Sequence, residues 1–204
     1  MTVKTAVALC LTVFTISDSV AQTVDTSYSK ITVSLSYYGN MLIKPGIKAG
    51  AAYVIIQKRC SRKNQRKSIA NPIVKQLTVA GDMGFFWHPH SHLALFNYYT
   101  LNYRVVKASQ RSIHTIGLGP GVYRSVYPDT YKVDNRDNVK PISWAGRTYF
   151  APVIVLGTGK LINHQWIQSW YFNTNIMVLF NYNSGFVPLL SFDIGLNFQF
   201  NKSR

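Results

Sequence analysis

The stretch His88-Pro89-His90-Ser91-His92 sets three imidazoles at alternating positions. Alternate residues of an extended chain project to one side, so His88, His90 and His92 can converge on a transition metal. A fourth ligand is not apparent nearby. The same residues admit nucleophilic chemistry, with Ser91 supplying a hydroxyl and His88 or His92 a base, although no acid that would orient the base is identifiable. A solvated loop is the third account, and the sequence leaves all three open.

Three charged groups come next. The segment "QKRCSRKNQRKSIANP" carries Lys58, Arg59, Arg62, Lys63, Arg66 and Lys67 without an acid. Charge of one sign at this density repels itself, and a hairpin turn needs only two to five residues. The segment is therefore expected either to contact an anionic partner or to form a mobile, solvated turn. Cys60 lies within it as the only cysteine beyond Cys10. The loop "YPDTYKVDNRDNVKPIS" carries Asp129, Asp134 and Asp137, whose oxygens could hold a cation, but the spacing is not that of an EF-hand and a solvated loop is the plainer account. Asp82, Arg104 and Asp193 fall on the polar faces of alternating segments. If those faces look inward, a buried charge needs partners, and an Arg-Asp network among the three is expected. No residue pattern calls for a cofactor.

The elements that position these residues follow from a period of two. In "LLSFDIGLNFQF" the even positions Leu190, Phe192, Ile194, Leu196, Phe198 and Phe200 are apolar, and Ser191, Asp193, Gly195, Asn197 and Gln199 oppose them. Similar alternation recurs along the chain, and the turn signals between segments predict eight strands at about 30–38, 46–57, 73–87, 93–105, 112–126, 145–158, 166–182 and 188–200. In a soluble sandwich the apolar face is the core. In a membrane barrel it faces lipid and the polar face lines the interior.

Lys4, the apolar run Ala6 to Ile16 and Ser19-Val20-Ala21 read as a secretory signal peptide over residues 1–21, leaving one domain over 22–204. No later apolar run reaches the 18 residues a transmembrane helix needs, so a membrane-inserted chain would be a barrel. The balance is 22 Lys and Arg against 7 Asp and no Glu, a net charge of +15. Such charge suits a polyanionic partner, and export disfavours nucleic acid. Lipopolysaccharide phosphates, acidic glycans or an acidic envelope protein remain. Aromatic residues gather near strand ends, as in Tyr37-Tyr38, Phe85-Phe86-Trp87 and Tyr149-Phe150, which suits interfacial girdles.

On "SVAQ", "LSYYGNMLIKPGIKAGAAY", "WAGRTYFAPVIVLGTG" and the last strand, the chain resembles the small eight-stranded outer-membrane β-barrel proteins of Gram-negative bacteria. Its last aromatic, Phe200, is followed by four more residues. The resemblance implies an all-β, antiparallel, up-and-down transmembrane barrel in the cell outer membrane. Its contacts would be lipid, lipopolysaccharide and, during insertion, the barrel-assembly machinery that reads such a terminal strand. The leading expectation is a non-enzymatic barrel with a filled lumen, presenting loops and a basic periplasmic turn to the envelope, with no cofactor. Some members of that group are lipid A hydrolases or acyltransferases with a rim His and Ser, which keeps the His88–His92 cluster in view, and a narrow small-solute channel is the third alternative.

One register is also predicted. If the fourth and fifth strands pair so that partner numbers sum to 217, Phe96 meets Gly121, Tyr98 meets Gly119 and Thr100 meets Gly117. Each bulky inward side chain then faces a gap.

Overall fold

The computed structural model describes residues 30–40, 44–62, 71–88, 91–107, 110–127, 130–133, 139–142, 144–162, 164, 166–182 and 185–199. The expected leader over 1–21 lies outside them, as do His90, Lys63, Arg66, Lys67, Asp129, Asp134 and Asp137. Of Arg62 only the backbone position is described.

The described residues form twelve strands: β1 Ile31–Asn40, β2 Lys44–Arg62, β3 Asn71–His88, β4 His92–Lys107, β5 Ser112–Gly119, β6 Gly121–Val126, β7 Tyr131–Val133, β8 Val139–Pro141, β9 Gly146–Phe150, β10 Val153–Leu161, β11 Ile167–Tyr182 and β12 Gly185–Gln199. All pairings are antiparallel. Eight strands, in the order β3-β2-β1-β12-β11-β10-β5-β4, form a ring that the β3–β4 pairing closes. The first strand meets the last, with Leu35 opposite Leu196 and Tyr37 opposite Ile194.

Two predicted strands are interrupted. The fifth splits at Pro120, which has no N–H to donate to a ladder, although its carbonyl still accepts from Tyr99 N at 2.9 Å. The sixth splits at Ala151-Pro152, where Ala151 N donates to Gly121 O at 2.8 Å and Val178 N to Pro152 O at 3.0 Å. β6 and β9 thus carry the sheet above the ring. The β7–β8 hairpin forms a separate sheet in the loop between them.

β2 and β3 run past the predicted ends, so Lys58 and Arg59 lie in a ladder, not a turn. They pair with Lys75 and Val74. Val74 is buried with Val106 and Ile113, and Leu161 packs against them; burying this apolar group at one end of the ring holds the strands together beneath the like charges.

The inner face of the ring is the polar one in its middle. Ser36, Lys48, Thr78, Thr100, Asn102, Asn175, Ser191 and Asp193 are buried, whereas Leu35, Ile47, Met83, Leu101, Ile116, Leu118, Ile154 and Ile194 are exposed. Asp193 is therefore inward and Ile194 outward, as the alternation of the last strand predicts. Toward the β3–β4 turn the interior becomes aromatic, with Tyr38, Phe86, Phe96, Tyr98, Tyr123 and Tyr149 in one cluster.

The pairing of the fourth and fifth predicted strands is found, but the register differs. Partner numbers sum to 219, so Phe96 faces Tyr123, Tyr98 faces Gly121 and Asn102 faces Gly117. A shift of two keeps every side chain on its predicted face. In this register Gly121 sits where no side chain fits, since a methyl there would stand 2.9 Å from Tyr98 Cβ and 2.6 Å from the Ala151 carbonyl.

Candidate functional site

The interior charges assemble around a residue that the sequence did not single out. Ile47, Ala49 and Ala51 of β2 point outward, which turns Lys48 into the ring. There Lys48 Nζ lies 2.8 Å from Asp193 Oδ2 and 4.0 Å from Asp82 Oδ1, and it donates to Tyr98 Oη at 3.2 Å. Asp193 also accepts from Asn173 Nδ2 at 3.1 Å and from Asn175 Nδ2 at 2.5 Å. Tyr38 Oη donates to Ser191 Oγ at 2.6 Å, and Ser191 Oγ in turn to the Asn175 carbonyl at 3.4 Å. Lys48 and Asp193 are 2 % and 1 % exposed, so this is a fully desolvated ion pair whose remaining lone pairs are satisfied by amides. Gly50 makes room for it, since a methyl there would overlap the Asp82 carboxylate.

The expected network among Asp82, Arg104 and Asp193 is thus corrected. The two acids do meet at one cation, but that cation is Lys48. Arg104 pairs in the ladder with Gln76 and Thr115, six positions along β4 from Tyr98, which is level with Asp82. An inward-facing cation has to seek an acid, but parity did not mark Lys48 as inward. The glycines and alanines of that strand hide the alternation.

At the opposite end of the aromatic cluster, His88 and His92 close the β3–β4 hairpin, and Ser91 N donates to the His88 carbonyl at 3.2 Å. Their rings stack with centroids 5.0 Å apart. Ser91 Oγ lies 2.8 Å from His92 Nδ1, and His92 Nε2 lies 3.0 Å from Tyr123 Oη. In the tautomer with Nε2 protonated, His92 accepts the serine hydroxyl and is held by tyrosine. That is the order nucleophile, base and orienting group, with a phenol where an acid would usually stand. His88 and His92 belong to the inward set of β3 and β4, so the group sits at the mouth of the ring and not on its outer surface. Among the described residues no three His, Cys, Asp or Glu side chains are gathered for a metal ion.

At the other end, Lys58, Arg59 and Cys60 are exposed on β2. Compared with known proteins, the chain matches no family model and no curated protein.

Proposed function

We propose that the chain is a non-enzymatic integral protein of a bacterial outer membrane, a β-barrel with a filled lumen that presents loops at one rim and the basic end of the β2–β3 ladder at the other. The observation that carries this reading is the polarity of the closed ring, with ions and amides inside and an apolar belt outside. In water such a belt would be an unusually large exposed apolar patch. In lipid it is the solvated surface, and closure leaves no unpaired edge. The dimensions agree. Trp87 and Leu77, the latter opposite Tyr103, are ten residues apart on β3, which is ~33 Å of strand at about 3.3 Å per residue. A tilt near 40° makes this ~25 Å of height, the apolar band of an outer-membrane barrel. Exposed aromatics mark both limits, Phe85, Trp87 and Phe150 at one and Tyr53, Tyr103 and Trp170 at the other.

In this orientation the His88–His92 rim is external, and Lys58 and Arg59 stand on the periplasmic side, where an anionic envelope component is the partner their charge suits. The aromatic cluster and the Lys48 ion pair occupy the lumen, which supports a structural or docking role over a channel. Detergent extraction followed by gel migration with and without boiling tests the reading. A faster unboiled band from the membrane fraction is expected, and identical bands with the protein in the soluble fraction would overturn it.

The Ser91–His92–Tyr123 chain favours a second reading, a hydrolase acting at the external mouth. Its inward placement suits a soluble ester entering the mouth better than an acyl chain in the surrounding lipid. Turnover of a short-chain nitrophenyl ester that is lost in both Ser91→Ala and His92→Gln would establish it. Equal background rates for the parent and both variants would remove it.

A further inference from the structure

Arg104 is a charge without a counter-charge. Asp82 and Asp193 are the only acids among the described residues, and both are held by Lys48. Among the described residues no ion pair joins Arg104 to either acid. Gln76, opposite Arg104 on β3, gives its amide to Gln57 Oε1 at 2.8 Å. Arg104 Nε is buried and has no hydrogen-bond partner.

A cavity of about 70 Å³ lies inside the ring between the Lys48 cluster and this guanidinium, with Thr100, Asn102, Arg104 and Thr115 in its wall. Its volume accommodates several water molecules. Thr100 Oγ1 accepts from Asn102 Nδ2 at 3.1 Å, which leaves the Thr100 hydroxyl hydrogen free to donate, and Thr115 brings a second hydroxyl directly opposite Arg104. Asn102 Oδ1 is a buried acceptor with no partner, in the wall of the same cavity.

We propose that Arg104, with the hydroxyls of Thr100 and Thr115, binds one small monovalent anion in this cavity, of the halide, nitrate or formate class. The buried Nε of this half-buried side chain has no acceptor, and Nε with one terminal nitrogen forms a fork suited to a halide or to two oxygens of a planar anion. The cavity admits such an ion with part of its hydration and excludes a sugar acid. The anion is a structural ligand of the folded ring, so it binds the native state and not the unfolded chain.

The test uses the full chain in zwitterionic detergent micelles at constant ionic strength, with chloride or nitrate replacing gluconate. A tenfold excess of free anion over its dissociation constant raises the folded-to-unfolded ratio about elevenfold, read as a higher urea midpoint. The shift is expected in the parent and absent in Arg104→Met. No chloride dependence in the parent, or an undiminished shift in the variant, overturns the site. Crystals soaked in bromide give a readout that does not depend on the variant folding: an anomalous peak beside Arg104 Nε supports the proposal, and a lumen without one overturns it.

Discussion

Lys48 is the residue on which the interior turns. Replacing it with Met leaves Asp193 and Asp82 buried without a cation, which costs about 3–5 kcal/mol for a broken buried pair. Asp193→Asn in the same chain removes the stranded charge while keeping its shape. The double variant is therefore expected to lose clearly less than the sum of the single losses, as contacting groups do. Urea titration of the four proteins in micelles measures this, and strict additivity would mean that the two side chains do not depend on each other. The inward placement of Asp82 and Asp193 was legible because each interrupts an apolar alternation. Lys48 was not, since its neighbours Gly46, Gly50 and Ala52 give the alternation no contrast. Arg104 was placed on the correct face, yet its partner depended on distance along the strand, which parity does not report.

The elements test the two faces and the register separately. Met83 lies near the middle of β3 on the outer side and is 54 % exposed. In a soluble protein, Met83→Arg would change stability by within about 0.5 kcal/mol. On the lipid face near the midplane it costs about 2–4 kcal/mol, so folding into vesicles should fall sharply for Met83→Arg and not for Met83→Leu. Equal folding of both would place β3 in water. For the register, Gly121→Ala puts a methyl 2.9 Å from Tyr98 Cβ and 2.6 Å from the Ala151 carbonyl, an overpacking of about 1–3 kcal/mol. Tyr98→Gly in the same chain should recover part of that loss, because it removes the Cβ that the new methyl meets. Gly119→Ala should gain nothing from Tyr98→Gly, since its methyl would meet the backbone of Tyr99 and Thr100 instead. Rescue at Gly119 and none at Gly121 would restore the register sum of 217. The sequence identified which strands pair and which faces they share. It left a two-residue ambiguity because glycines recur at every second position from Gly117 to Gly121, and each offers a gap to a bulky side chain.

At the scale of the molecule the decisive feature is closure between β1 and β12. Leu35 and Leu196 are directly opposed, and opposed residues of an antiparallel pair lie about 4.5–5.5 Å apart at Cα, within the span of a disulfide. In a background with Cys10 and Cys60 replaced by Ser, Leu35→Cys with Leu196→Cys should therefore oxidise to an intramolecular bridge in the folded protein. Non-reducing gels of denatured samples then show a looped chain with altered mobility. Free thiols in the folded protein, or bridges only between chains, would mean that the first and last strands stand apart and the sheet is open.

The sequence by itself determined the period of two, the strand count of the ring, the inward face of the last strand and the segregation of like charges onto one hairpin. These are local properties, since side-chain alternation and turn chemistry act over a few residues. Only the tertiary structure decided that Lys48 answers both acids, that Ser91, His92 and Tyr123 line up, that Pro120 and Pro152 interrupt strands without breaking the ring, and that Arg104 borders a cavity without an ion-pair partner among the described residues. Those depend on which strands neighbour one another and how far each is slid along its partner. The slide is set by the summed fit of many side chains across the ring interior, a quantity that no single segment contains.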